Sequence, residues 1–314
     1  MDRKWLYISG LIAVAAIWGA NFGLSRFAMD AFDPILFTFL RFCSAVPFFF
    51  ILLKLREGSV GIPWRVGLAL AAIGLFGIAL LEIMVMYSIK YTSLANASLL
   101  NVAPWPIFAA LLAPLFTKEV ITARLLVGGG AAMVGVCFVI LGGGDSFSLA
   151  GDQMLGNALA LGVSLLGALF NLACMPFMRR YSALRVSSWM ILFGSLFMLP
   201  LTWGSWGQVQ WGALTATHYS ILLYNILFCT VIGFVVWNAC MYQVGAARAN
   251  FFRYVVPAAA VVAGYLMFGE QLTWLQLAGA ACMAGGLVWI SVERKQAAPL
   301  PSQTSVQQGA APIK

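Results

Sequence analysis

Apolar residues run in blocks of about twenty along nearly the whole chain, parted by short breaks that hold most of the charges. A run of 18 or more, coiled as a helix, crosses roughly 30 Å of hydrocarbon. The pattern predicts ten membrane-spanning helices. Five lie near Trp5–Ala28, Pro34–Leu53, Val66–Ser88, Ser93–Phe116 and Ile121–Leu141. Five more lie near Met154–Met178, Ala183–Trp203, Thr217–Tyr242, Ala247–Phe268 and Thr273–Val292. The breaks are short, so neighbouring helices are expected to pack antiparallel.

The blocks repeat. Residues 91–135 return as residues 242–286 under a constant shift of 151, without a gap. Tyr91, Ala95, Pro106, Ala109, Leu115, Glu119, Thr122, Leu126, Gly128 and Gly135 meet the same residue in the second copy: ten identities in 45 positions. A proline, a glutamate and a threonine keep their spacing, which apolar composition alone does not produce.

Charge at the helix ends gives direction. Arg3, Lys4, Lys54, Arg56, Arg65, Lys118, Arg124, Arg179, Arg180, Arg185, Arg248, Arg294, Lys295 and Lys314 fall on one side, while the other has only Arg26 and Lys90. Basic residues stay cytoplasmic, so both termini are expected inside. Each copy has five spans, an odd number, and the second must therefore be inverted relative to the first. Inverted repeats are an architecture of secondary transporters, with the substrate site near the midplane between the copies. The expected division is 1–145 for the first five-helix repeat, 151–295 for the second, and a disordered cytoplasmic tail over 296–314.

Composition narrows the class. The chain is 62% hydrophobic and 9% charged, against about 25% charged in soluble domains. The net charge of +8 sits mostly in loops between spans and does not point to nucleic acid. Cys43, Cys137, Cys174, Cys229, Cys240 and Cys282 all fall inside spans and read as small hydrophobes, not as disulfides or a zinc site. The first apolar run has no small-residue cleavage site, so no cleavable signal is expected.

Three passages carry a family resemblance: Trp18-Gly19-Ala20-Asn21-Phe22 in the first helix, Pro34 with Arg41 in the second, and the proline helix ending in Lys118-Glu119 or Gly269-Glu270 before Thr122 or Thr273. The chain resembles the EamA family of the drug/metabolite transporter superfamily over residues 1–295, and within it the YddG-type exporters of aromatic amino acids. The second copy departs from the pattern: it keeps Gly167, Ala168 and Phe170, has Leu166 and Leu169 for the Trp and Asn, and lacks the Pro and Arg of the second passage.

Several residues are candidates for the site. Pro106 and Pro257 lie near the middles of their expected helices, where a proline frees the carbonyl four residues back, here Val102 and Arg253; Pro104 frees Leu100. Plain kinks and hinges at the site are both open. Arg41, Glu82 and Arg253 are ionised residues inside spans, costly there and functional by default. Arg41 and Glu82 lie at matching depth on antiparallel neighbours, which predicts an ion pair or a shared water network, structural or functional. Arg253, about two turns from the cytoplasmic end, is expected to snorkel to water. Trp18, Asn21, Met86, Asn101, Trp105, Phe170, Asn171, Trp237 and Asn238 are candidates for the wall of an apolar cavity with a few polar groups; packing is the alternative for each. Glu119 and Glu270 are expected to cap the helices that follow them. Gly128 and Ala132, and Ala280 and Ala284, are expected at close helix contacts. His218 has no neighbour for a metal site.

The expected function is export of aromatic and other neutral amino acids across the bacterial cytoplasmic (inner) membrane, by alternating access between two inverted repeats. The family implies the substrate; a zwitterion's two charges would find Arg41, Glu82 and freed carbonyls near Pro106, and its side chain Met86, Trp105, Phe170 and Trp237. Export of nucleosides, sugars or cationic toxicants is the alternative, and a channel or scaffold a further one. An intramembrane enzyme would need a serine–lysine or acid–histidine set that the spans lack. The expected partners are the small solute and membrane lipid; no nucleic acid, cofactor or metal is expected, and the expected unit is a monomer.

Overall fold

The computed structural model describes residues 3–116, 123–142, 151–178, 180–244 and 252–291. The expected tail over 296–314 and residues Lys118, Glu119, Thr122 and Arg248 lie outside them, as do the side chains of Pro106 and Asn238.

Every regular element among the described residues is helical. In chain order they are α1 (Arg3–Ala28), α2 (Pro34–Glu57), α3 (Trp64–Tyr91), α4 (Leu94–Val102), α5 (Trp105–Phe116), α6 (Ala123–Gly142) and α7 (Asp152–Met178). Then come α8 (Ala183–Met198, closed by a tight turn Leu199–Thr202), α9 (Ala216–Tyr224, Asn225–Ile232 and Gly233–Val244 in one rod), α10 (Val255–Phe268) and α11 (Trp274–Ser291). Six of these rods are long and apolar enough to cross a membrane: α1, α2, α3, α7, α8 and α9. The expected fourth span is not continuous; α4 and α5 are its halves, separated at Ala103-Pro104.

Polar side chains set where the helices begin. Asp33 accepts from the backbone N–H of Ile35 at 3.0 Å and Leu36 at 3.2 Å, with Pro34 in the first turn where its missing N–H costs nothing. Ser93 caps α4 and Ser182 caps α8. Thr273 and Gln276 cap each other's backbone at the start of α11. Glu270 does not cap that helix. It accepts from the Leu94 N–H at 2.9 Å, at the start of α4, and pairs with Arg26, which also donates to the Thr92 carbonyl at 2.7 Å. A free helix N-terminus attracts a carboxylate wherever one reaches it, and here it comes from 176 residues away.

The ends of the bundle are tied differently. At the end expected outside, Asn157 accepts from Thr92 and Asn96, and Gln276 donates to Asn96 at 2.7 Å. These buried amides join α4, α7 and α11 through satisfied hydrogen bonds. At the other end Arg185, in the first turn of α8, holds Glu57 at 2.8 Å and reaches Ser59 and Gly61 in the α2–α3 loop. Trp203 and Trp274 are exposed at one end, and Trp5 and Trp64 at the other, as interfacial indoles are.

Glycines decide one helix contact. A Cβ on Gly135 would stand 2.6 Å from the Gly279 carbonyl, and one on Gly279 would stand 2.6 Å from that of Gly135; Gly286 approaches the Gly128 carbonyl as closely. Only backbone against backbone fits there. The helix α6 therefore runs antiparallel to α11, and the shift of 151 turns the Gly128–Gly286 contact into Gly279–Gly135. The contact face carries Gly128, Ala132 and Gly135 on α6, and Gly279, Met283 and Gly286 on α11. Gly128 and Ala132 are placed as expected; Ala280 and Ala284 are half-buried and are not among the atoms of closest approach.

Candidate substrate site

Two breaks in the helices face each other. One lies between α4 and α5 at Ala103-Pro104, the other just before α10 at Arg253-Tyr254. The shift of 151 carries Ala103 onto Tyr254, and the Tyr254 hydroxyl donates to the Ala103 carbonyl at 3.2 Å. The prolines of the sequence pattern thus stand just after breaks, not at the middles of continuous helices. Pro106 is the second residue of α5 and Pro257 the third of α10, positions where a proline removes no intrahelical bond. The carbonyl that Pro104 displaces, Leu100, accepts from the Ser164 hydroxyl at 2.8 Å, and that hydroxyl also contacts the Asn101 carbonyl. The Arg253 carbonyl accepts from Val256 N–H at 2.9 Å. These groups are satisfied by the protein itself.

Wide π turns mark the third rod of each half. In α3 the segment is Leu75–Leu80; in α9 it is Asn225–Ile232. The shift of 151 places the first inside the second. Such turns concentrate at functional sites, and here they receive the neighbouring side chains. Trp18 Nε1 donates to the Cys229 carbonyl at 2.9 Å and the Tyr224 hydroxyl to the Ile17 carbonyl at 2.9 Å, docking the Trp18-Gly19-Ala20-Asn21 passage of α1 onto α9. The ring of Phe170, on α7, lies against Gly77 of the other π segment, where no Cβ could be accommodated.

The expected ion pair is present. Arg41 Nη1 lies 3.3 Å from Glu82, and its Nε donates to Thr230 at 2.8 Å; Thr230 in turn donates to the Asn225 carbonyl at 2.9 Å. Arg41 is 5% exposed. It is bound to one π segment and to the first turn after the other.

Arg253 does not snorkel. Its guanidinium lies over the ring of Trp105, 4.2 Å from the centroid, and 5.8 Å from that of Trp237. Trp237 in turn stands 5.0 Å from Trp18, and Trp105 lies on Gly167, whose missing side chain makes room for the indole. Four candidates from distant parts of the chain thus form one line, Trp18–Trp237–Arg253–Trp105. It reaches Arg41 and Glu82 through Cys229 and Thr230. Aromatic faces attract a cation, most strongly when water is displaced, which is why an arginine so near the helix end turns inward.

The remaining candidates are dispersed. Met86 is buried in the hydrophobic core. Asn21 accepts from Ser25, one turn along its own helix, at 3.2 Å. Asn101 is buried against α7, and Asn171 is exposed. Thr230, Ser164 and Tyr254 escaped notice in the sequence: each is one polar residue in an apolar block, and its role comes from a partner many residues away.

Comparison with known proteins adds the identity of the unit. The profile of the EamA-like transporter family matches residues 5–141 and again 154–292. The chain is 27% identical over 297 residues to the uncharacterized transporter YetK of Bacillus subtilis, covering 94% of this chain and 89% of the relative. It is 25% identical to a probable terminal-alkyne amino-acid exporter of Streptantibioticus cattleyicolor, covering 90% and 92%. A probable amino-acid metabolite efflux pump of Salmonella typhimurium is 26% identical, over 91% and 94%. A solved crystal structure superposes with a TM-score of 0.63 over 91% of this chain and 98% of its own, at 15% identity. With both halves matched, the chain belongs to the EamA-like transporter family.

Proposed function

We propose that the protein exports amino acids, aromatic and other large neutral ones foremost, across the cytoplasmic membrane with both termini inside. Residues 1–145 and 151–295 act as two inverted five-helix repeats that rock about a central site. The observation that carries this is the meeting of the two helix breaks, with Tyr254 bonded to its own repeat counterpart Ala103. A contact between equivalent residues lies on a twofold axis, and interrupted helices at a repeat interface are how such transporters build a midplane site. The antiparallel contact of α6 with α11 has the same symmetry. The excess of Lys and Arg in the loops on one side supports this orientation.

The amino-acid assignment is supported by the two relatives named for amino-acid export or efflux and by the chain of indoles beside Arg253. The test is initial uptake of labelled phenylalanine, threonine and a nucleoside into proteoliposomes, with wild type and Trp105→Ala. Phenylalanine should enter above protein-free vesicles and saturate, and Trp105→Ala should weaken phenylalanine more than threonine. Nucleoside uptake without any amino-acid uptake would overturn the substrate and leave the transporter.

A further inference from the structure

The two arginines of the site differ in their partners. Arg41 is neutralised by Glu82 at 3.3 Å and further held by Thr230. The ion pairs among the described residues are Arg26–Glu270, Arg41–Glu82 and Arg185–Glu57; Arg253 is in none of them. Among the described residues its guanidinium meets only the two indole rings. A ring face compensates charge but accepts nothing along the N–H directions, and a guanidinium carries five such donors. Beside it, Trp105 Nε1 is buried and has no hydrogen-bond partner among the described residues. A buried donor without an acceptor is costly, and this one stands stacked with a half-buried guanidinium.

We propose that Arg253, aided by Trp105 Nε1, binds the carboxylate of the transported solute. A carboxylate is planar, carries two acceptor oxygens and matches the guanidinium edge in bidentate fashion. The indoles of Trp105 and Trp237 hold the guanidinium so that it does not collapse onto a protein group. Arg41, already paired, is not the carboxylate site, and Glu82 is not a free ammonium site. The solute is therefore an apolar or aromatic carboxylate for which an amino group is dispensable. The inference takes its solute class from the exporter reading above and its chemistry from Arg253.

The test is equilibrium binding to the full-length protein in detergent, by calorimetric titration with four compounds. Phenylalanine and 3-phenylpropionate keep the carboxylate; phenylalaninamide and phenethylamine lack it. The first two should bind about tenfold tighter than the last two, which is about 1.4 kcal/mol. Arg253→Gln should erase that gap, and Arg253→Lys should keep part of it. A gap that survives Arg253→Gln overturns the proposal. If that variant does not fold, the wild-type ranking decides: phenethylamine binding as tightly as 3-phenylpropionate overturns it equally. Should 3-phenylpropionate bind while phenylalanine is not transported, the carboxylate anchor stands and the amino-acid reading falls. Phenylalanine transport without a carboxylate preference gives the reverse.

Discussion

Glu82→Gln keeps the shape of the side chain and removes its charge. Arg41, 5% exposed, then keeps the Thr230 hydroxyl at 2.8 Å, the Phe42 ring at 4.7 Å and a neutral amide oxygen, but no counter-charge in contact. Breaking a buried pair from one side costs about 3–5 kcal/mol. The surviving contacts to Thr230 and the Phe42 ring and the single, rather long contact of 3.3 Å favour the lower figure, about 3 kcal/mol. Arg41→Met should cost less, because a carboxylate stripped of its partner can neutralise itself with a proton and an arginine cannot. The double variant should be more stable than Glu82→Gln alone. Thermal unfolding can be followed with a thiol-reactive fluorophore. Cys174 and Cys229 are 1% and 0% exposed and free, so their labelling reports loss of the fold, while the exposed Cys43 and Cys137 set the baseline. At roughly 2–4 °C per kcal/mol, Glu82→Gln should lower the midpoint by about 6–12 °C. Strict additivity of the two single changes would refute a direct coupling, and an unchanged midpoint for Glu82→Gln would refute its role in holding Arg41.

Two further outcomes are expected. In a cysteine-free background, an impermeant thiol reagent on intact cells should label Gly204→Cys and spare Gly61→Cys, since both positions are open and only the first is expected outside; the opposite pattern would reverse the orientation. Ser164→Ala should cost about 1–3 kcal/mol by leaving the Leu100 carbonyl unpaired, and adding Pro104→Ala should recover part of the loss by restoring the helical N–H; a further loss in denaturation midpoint would contradict this role for Ser164.

How much of this was legible in the sequence depends on the range over which each signal acts. Arg41 and Glu82 were found because charge in an apolar block is conspicuous and depth can be counted along two neighbouring helices. Arg253 was equally conspicuous, but its direction was not: the rings that turn it inward lie on α5 and α9. Counted from the ends of an apolar run, the prolines fall mid-helix, whereas the hydrogen-bonded helices begin only at Trp105 and Val255. The π segments leave no mark in composition, since only the bonding register changes. Asn96, Asn157 and Gln276 each read as a lone amide, and their network exists only once α4, α7 and α11 meet. Glu270 was expected to serve the helix beside it in sequence, and a nearer free helix end in space claimed it.

The matched π segments separate what the two halves share from what they do not. The offset of 151 that superposes residues 91–135 on 242–286 also lays Leu75–Leu80 within Asn225–Ile232. At the same offset Arg41 and Glu82 meet Leu192 and Gly233, and Arg253 meets Val102. The widened backbone turn is thus common to both halves, while the charge set beside it is particular to each.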